Sequence, residues 1–187
     1  MAPVGDPDET PIMRALILTL HRWIGLPASV ILAITGGTGV LLVWPMANVV
    51  GRIAGRLHET IGLGRAGALI VTAATGVAVL LELSGLYLWW KRKALAIHRR
   101  GGWQRIMFDL HHAAGAVGFV IMLLIASAAI TARFLPVGPM RRAANELHTG
   151  HNFSTPIKVV YALGSLGFAV QGTTGVLMWL RRSRGVK

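Results

Sequence analysis

Four stretches of this chain, 23–44, 66–90, 113–132 and 159–180, each run for at least 20 residues with a single charge among them, Glu82. About 20 mostly apolar residues are enough to cross the hydrocarbon of a bilayer as a helix. A helix also satisfies its own backbone there, which an open strand cannot. A soluble bundle would need a polar face on each helix, and these runs have none. Tryptophans 23, 44, 89, 90, 103 and 179 stand near the ends, where amphipathic rings favour the headgroup layer. Only 14% of residues are charged, against about a quarter in a soluble domain. The expected fold is all-α, a four-helix transmembrane bundle in contact with lipid.

A repeat constrains the arrangement further. Leu20-His21-Arg22-Trp23-Ile24-Gly25 returns as Leu110-His111-His112-Ala113-Ala114-Gly115, 90 residues on. Leu57-His58 returns at the same offset as Leu147-His148, and Ser84-Gly85 with its Trp89 returns as Thr174-Gly175 with Trp179. Three matches at one offset identify a duplicated helical hairpin. Each copy contains two spans, so both enter from the same side and the repeats run parallel about an axis along the membrane normal. The 187 residues are read as one transmembrane domain, with repeat one over about 11–93 and repeat two over about 101–183.

Charge sets the expected orientation. Twelve of the 19 lysines and arginines lie at the N-terminal end, in the middle loop or at the C-terminal end: Arg14, Arg22, Lys91, Arg92, Lys93, Arg99, Arg100, Arg105, Arg181, Arg182, Arg184 and Lys187. The other seven are Arg52, Arg56, Arg65, Arg133, Arg141, Arg142 and Lys158. The excess places both termini in the cytoplasm. The net charge of +12 then reads as topology and anionic-lipid contact, not as a nucleic-acid surface. The acidic start, Asp6-Pro7-Asp8-Glu9-Thr10-Pro11, resembles a helix cap and lacks a basic n-region, so the first span is expected to stay in the membrane.

Duplication turns single histidines into pairs. His21 and His111 share one depth on the cytoplasmic side, and His58 and His148 share another on the far side. The chain has no cysteine, which excludes thiolate metal sites and covalent c-type haem attachment. Two imidazoles at matching depth are what axial ligation of a haem iron requires. Zinc would lack its remaining ligands. Gly25 and Gly115 follow four residues after His21 and His111, on the same helix face, and leave room for a flat macrocycle. Ser29, Ala33, Gly37 and Gly118 extend this small-residue surface, which equally suits helix–helix packing. The expectation is one or two haem b groups ligated by His21 with His111 and by His58 with His148.

The strings LHRWIGLPASVILAITGGTGVLL, DLHHAAGAVGFVIMLLIASAAIT, LHTGHNF and TTGVLMWLRRSR resemble the PepSY-associated transmembrane family of bacterial inner-membrane proteins. The resemblance implies a b-type haem protein that passes electrons across the inner membrane, in some members to ferric siderophores. Residues 45–65 stand where many members carry a large PepSY insertion, so the substrate specificity of those members does not transfer. No nucleotide or flavin fingerprint is present, so electrons would come from a quinol or a redox-protein donor. The acceptor would be a ferric chelate or a partner redox protein, which makes the chain reductase-like. The competing class is a haem-free membrane scaffold or assembly subunit whose histidines only pack.

Aligning the spans end to end puts His58 level with Met46, about 25 residues or ~37 Å from His21 along the bundle. Glu82 falls near the level of Arg22; it pairs with that arginine, orients a ligand imidazole or faces interfacial water. His112 and His151 adjoin the proposed ligands and are alternatives to them. His98 reads as a solvated loop residue.

Overall fold

The computed structural model describes residues 11–90, 95–98 and 102–182, without the side chains of residues 181 and 182. The acidic start before Pro11 and the cations Lys91, Arg92, Lys93, Arg99, Arg100, Arg184 and Lys187 lie outside the described residues. The described residues form six helices: α1 (Pro11–Leu42), α2 (Val49–Thr60), α3 (Gly64–Trp90), α4 (Gly102–Phe134), α5 (Pro139–Thr149) and α6 (Thr155–Arg182). Four of them, α1, α3, α4 and α6, are long and apolar enough to cross a membrane, so the chain is a multi-pass membrane protein. α1 has 32 residues and reaches ~48 Å, well beyond the ~30 Å of hydrocarbon.

The two segments between spans were expected only as loops. Each instead forms a short amphipathic helix. The Asn48 side chain caps α2 by accepting from the Gly51 N–H, and Ile61 closes the helix in the left-handed region at φ 46°. α5 opens on Pro139 and ends at Gly150, φ 65°, whose N–H donates to the Glu146 carbonyl. α2 packs on α1 and α3, and α5 packs on α4, so both fold back along the bundle.

α1 packs against α3 and α6, and α4 packs against the same two, which sets α1 and α4 across the diagonal. Helices α1, α2 and α3 reappear 90 residues later as α4, α5 and α6 to within two residues at each boundary. His21 meets His111 at one end of the bundle and His58 meets His148 at the other, so the two hairpins run parallel.

Large side chains face outward. Val30, Leu80, Val117, Val120 and Leu163 are exposed, while Ala28, Ala74, Ala78 and Ala126 are buried, the last two in one cluster with Met122. Lipid is as apolar as leucine, so small residues do more inside, where they let backbones approach. Among the four spanning helices, α1 and α6 approach each other closely. A Cβ on Gly36 would lie 2.6 Å from the Ala169 nitrogen and 2.7 Å from the Ser165 carbonyl oxygen. Adjacent Gly37 has nothing within 4 Å. Gly36→Val should therefore destabilise the protein by about 1–3 kcal/mol, the range for overpacking. Gly37→Val should leave the melting temperature in detergent nearly unchanged, and equal losses in the two variants would contradict this packing.

Candidate functional site

Each of the four paired histidines is held through Nδ1. His21 Nδ1 lies 2.8 Å from Ser84 Oγ, and His111 Nδ1 lies 3.0 Å from Thr174 Oγ1, the same contact 90 residues on. Both hydroxyls already donate to backbone carbonyls, Ser84 to Leu81 and Thr174 to Val170. Each hydroxyl oxygen is thus an acceptor towards the ring, and the rings donate Nδ1–H. His58 Nδ1 donates to the Thr35 carbonyl at 2.9 Å, and His148 Nδ1 donates to its repeat counterpart, the Ile125 carbonyl, at 3.1 Å. A carbonyl can only accept, so these tautomers are set. In all four neutral rings the Nε2 lone pair is left bare, which is the tautomer a metal ligand needs.

The pairs are also spaced for a shared atom. The His21 and His111 ring centroids are 6.4 Å apart with planes at 90°, and those of His58 and His148 are 5.9 Å apart at 35°. An imidazole nitrogen binds a first-row metal at about 2.0–2.1 Å, and its ring centre lies about 1.1 Å behind, so two axial rings have centroids about 6.3 Å apart. Glycines face the rings. A Cβ on Gly85 would stand 3.5 Å from His21 Cε1, and one on Gly39 would stand 3.4 Å from His58 Cε1.

Each pair opens on a cavity. One of about 370 Å³ is lined by His21 and His111 with Arg14, Arg22, Glu82 and Trp89. The other, about 570 Å³, is lined by His58 and His148 with Arg133, Arg141 and Glu59. Both volumes are in the range of small-molecule sites. Among the described residues no three His, Cys, Asp or Glu side chains gather to hold a metal by themselves.

Several sequence expectations change. His58 is not level with Met46. Because α2 folds back, His58 reaches Thr35 and also lies 3.2 Å from Thr38 Oγ1. Thr35 is 14 residues beyond His21, or ~21 Å along the helix instead of ~37 Å. Glu82 makes no hydrogen bond or ion pair with Arg22 or any other described residue; it is 5% exposed and faces the cavity. His98 is not simply solvated, because its N–H and Nδ1 bind Asp109 Oδ2 at 2.8 and 3.0 Å, beside an Arg105–Asp109 contact of 3.0 Å. This clasp, two residues before His111, was missed in the sequence, where only the i,i+4 spacing of Arg105 and Asp109 hinted at it.

Gly25 and Gly115 both line the smaller cavity, and the Gln171 amide fills the space where a Cβ on Gly115 would stand. Ser29 and Ala33 pack on Gly172 of α6, so helix packing accounts for part of that small-residue surface. His112 stacks on Phe108 at 4.1 Å, and His151 Nε2 donates to the Leu42 carbonyl at 2.7 Å.

The profile of the PepSY-associated TM region matches residues 45–137, from before α2 to just past α4. That stretch contains His58 and His111, and their partners His148 and His21 are the repeat counterparts. No curated protein and no solved structure matches the chain.

Burial, together with the neighbouring His148 imidazole, pushes His58 down to about 4 despite the Thr35 carbonyl. Burial also lowers His148, opposed by the Ile125 carbonyl. Above about pH 6.5 the rings are neutral whether folded or unfolded, and stability is complete. As pH falls towards 4, the unfolded chain takes protons that the folded chain refuses, and stability is lost. His58 alone accounts for a loss on the order of 3 kcal/mol by pH 4. Melting temperatures of metal-free protein across this window should fall, and should fall less in His58→Leu; identical slopes would contradict the assignment.

Proposed function

The chain belongs to the PepSY-associated TM family, and from that premise we propose that it is a b-type haem protein carrying electrons across the bacterial inner membrane. The observation that carries the reading is that four histidines, each held through Nδ1, meet as one pair at each end of the bundle. His21 and His111 would hold one haem, and His58 and His148 a second. A haem held between two of these imidazoles would supply one-electron exchange at each site. Ser84, Thr174, Thr35 and Ile125 orient the ligands and keep each ring in the ligating tautomer. Arg14 and Arg22 at the smaller cavity, and Arg133 and Arg141 at the larger, offer cations to the carboxylates of the macrocycle.

The excess of lysine and arginine puts the His21/His111 end at the cytoplasm and the His58/His148 end outside. Electrons enter from a quinol or a redox protein at the first end. They leave at the second to a ferric chelate or an outer redox partner. Among the charged residues lining the larger cavity, Arg133 and Arg141 outnumber Glu59, which favours an anionic acceptor.

The purified protein should show reduced-minus-oxidised Soret and α bands, and His21→Ala and His111→Ala should each remove the same low-spin signal. His58→Ala and His148→Ala should remove the other. Perpendicular imidazole planes leave the iron π orbitals nearly degenerate, so the first signal should show one large g value in electron paramagnetic resonance. The 35° pair should give a rhombic spectrum. A colourless protein supports the scaffold alternative, and loss of different signals in His21→Ala and His111→Ala refutes the pairing.

Dithionite-reduced protein should be reoxidised faster by an anionic ferric chelate than by a cationic one of similar potential. The difference should shrink with added salt. Equal rates at low salt would remove the electrostatic argument for the acceptor.

A further inference from the structure

Glu82 has no role in holding either histidine pair, yet it is the one acid within the four apolar runs. Its side chain is 5% exposed, makes no hydrogen bond or ion pair with any described residue, and opens into the His21/His111 cavity. It stands on the turn of α3 that wraps His21: Ser84 Oγ accepts from His21 Nδ1, and Gly85 faces His21 Cε1. An ionisable group at membrane depth is costly and needs a compensating function.

The duplication isolates this acid. The counterpart of Glu82 is Gly172, where a Cβ would collide with the Ser29 carbonyl and come within 2.7 Å of the Ala33 nitrogen. α6 lies too close to α1 there to carry a side chain. The looser α3 position admits a carboxyl, so only one half of the protein has it.

We propose that Glu82 couples electron uptake at the His21/His111 site to uptake of one proton. This rests on the haem reading above. When a one-electron donor such as a quinol reduces the site, the electron goes to the iron and its charge falls by one. In surroundings of low dielectric that change is strongly felt by a carboxylate on the same cavity. The carboxylate then takes one proton from water through the cavity mouth, forming an O–H bond, and releases it on reoxidation. The other charged or titratable groups lining the cavity are Arg14, His21 and Arg22 on α1 and His111 and His112 on α4. From α6 the polar group is the uncharged Gln171. The two arginines stay protonated throughout, and the two ligating imidazoles have their Nε2 atoms committed, which leaves Glu82 and His112 able to exchange a proton.

The test is a redox titration of the haem-loaded protein across the neutral pH range, with the near-side signal identified by its loss in His21→Ala. One proton per electron lowers the midpoint potential by about 59 mV per pH unit. Glu82→Gln should flatten this slope without altering that of the His58/His148 signal. Glu82→Asp should retain it, and His112→Gln should leave it unchanged. Should Glu82→Gln fail to fold, wild-type protein labelled with ¹³C-glutamate provides the readout: an isotope-shifted carboxylic C=O band that grows on reduction. A pH-independent wild-type potential, a slope that survives in Glu82→Gln, or no labelled band overturns the proposal while the haem reading stands. Absence of any haem spectrum overturns both.

Discussion

The placement of both histidine pairs depends on the hydrogen bond that each ring makes through Nδ1. An imidazole has two nitrogens and, when neutral, one proton, so fixing that proton on Nδ1 determines what Nε2 can do. Two rings are fixed by hydroxyls on the second helix of their own hairpin, Ser84 and Thr174, and two by carbonyls on the first, Thr35 and Ile125. Each contact spans an identical sequence interval in the two halves. Duplicating one hairpin therefore duplicated two anchors, and parallel assembly turned them into two pairs.

The bilayer explains why the room for these pairs is uneven. With no hydrophobic drive between helices in lipid, association rests on close backbone approach through small residues. α1 and α6 use it fully, at Gly36 against Ala169 and at Gly172 against Ala33. On the other side, a Cβ added to Gly76 of α3 would meet an Ile130 methyl group at an ordinary 3.8 Å. One side of the pseudo-symmetric bundle is closed while the other leaves space, and the acid of α3 occupies that space.

Much of this was legible in the sequence because the bilayer simplifies the code. Length and lack of charge identify a span, and an offset of 90 identifies its partner, so the bundle and the equivalence of the histidines follow from residue identities alone. The depth of His58 did not follow. It depends on α2 folding back along α1, and that turns on the Asn48 cap and the left-handed Ile61, both local backbone events within a short glycine-containing segment. The His98–Asp109 clasp was hidden for a similar reason, since it joins a loop to a helix across eleven residues with no periodic signal. Glu82 was visible as an anomaly, but its isolation from Arg22 is a matter of side-chain direction that spacing does not encode.

The fold-back of α2 and α5 bears directly on what the two sites can do together. At ~37 Å the pairs would lie beyond both faces of a ~30 Å hydrocarbon layer, whereas at ~21 Å they lie inside its two boundaries. A charge moved between them crosses about two thirds of the layer and so feels roughly that share of the membrane potential. A full crossing is worth ~2.3 kcal/mol per 100 mV. On the proposed orientation, with the cytoplasm negative, an electron travelling from the His21/His111 end to the His58/His148 end moves downhill in that field. A proton taken up by Glu82 from the cytoplasmic water and returned to it crosses little of the layer, because Glu82 shares the cavity of the near-side pair. On the proposed function the two charges would be separated by geometry: the short helices bring the outer pair closer to the inner one, and the acid stays at the inner one alone.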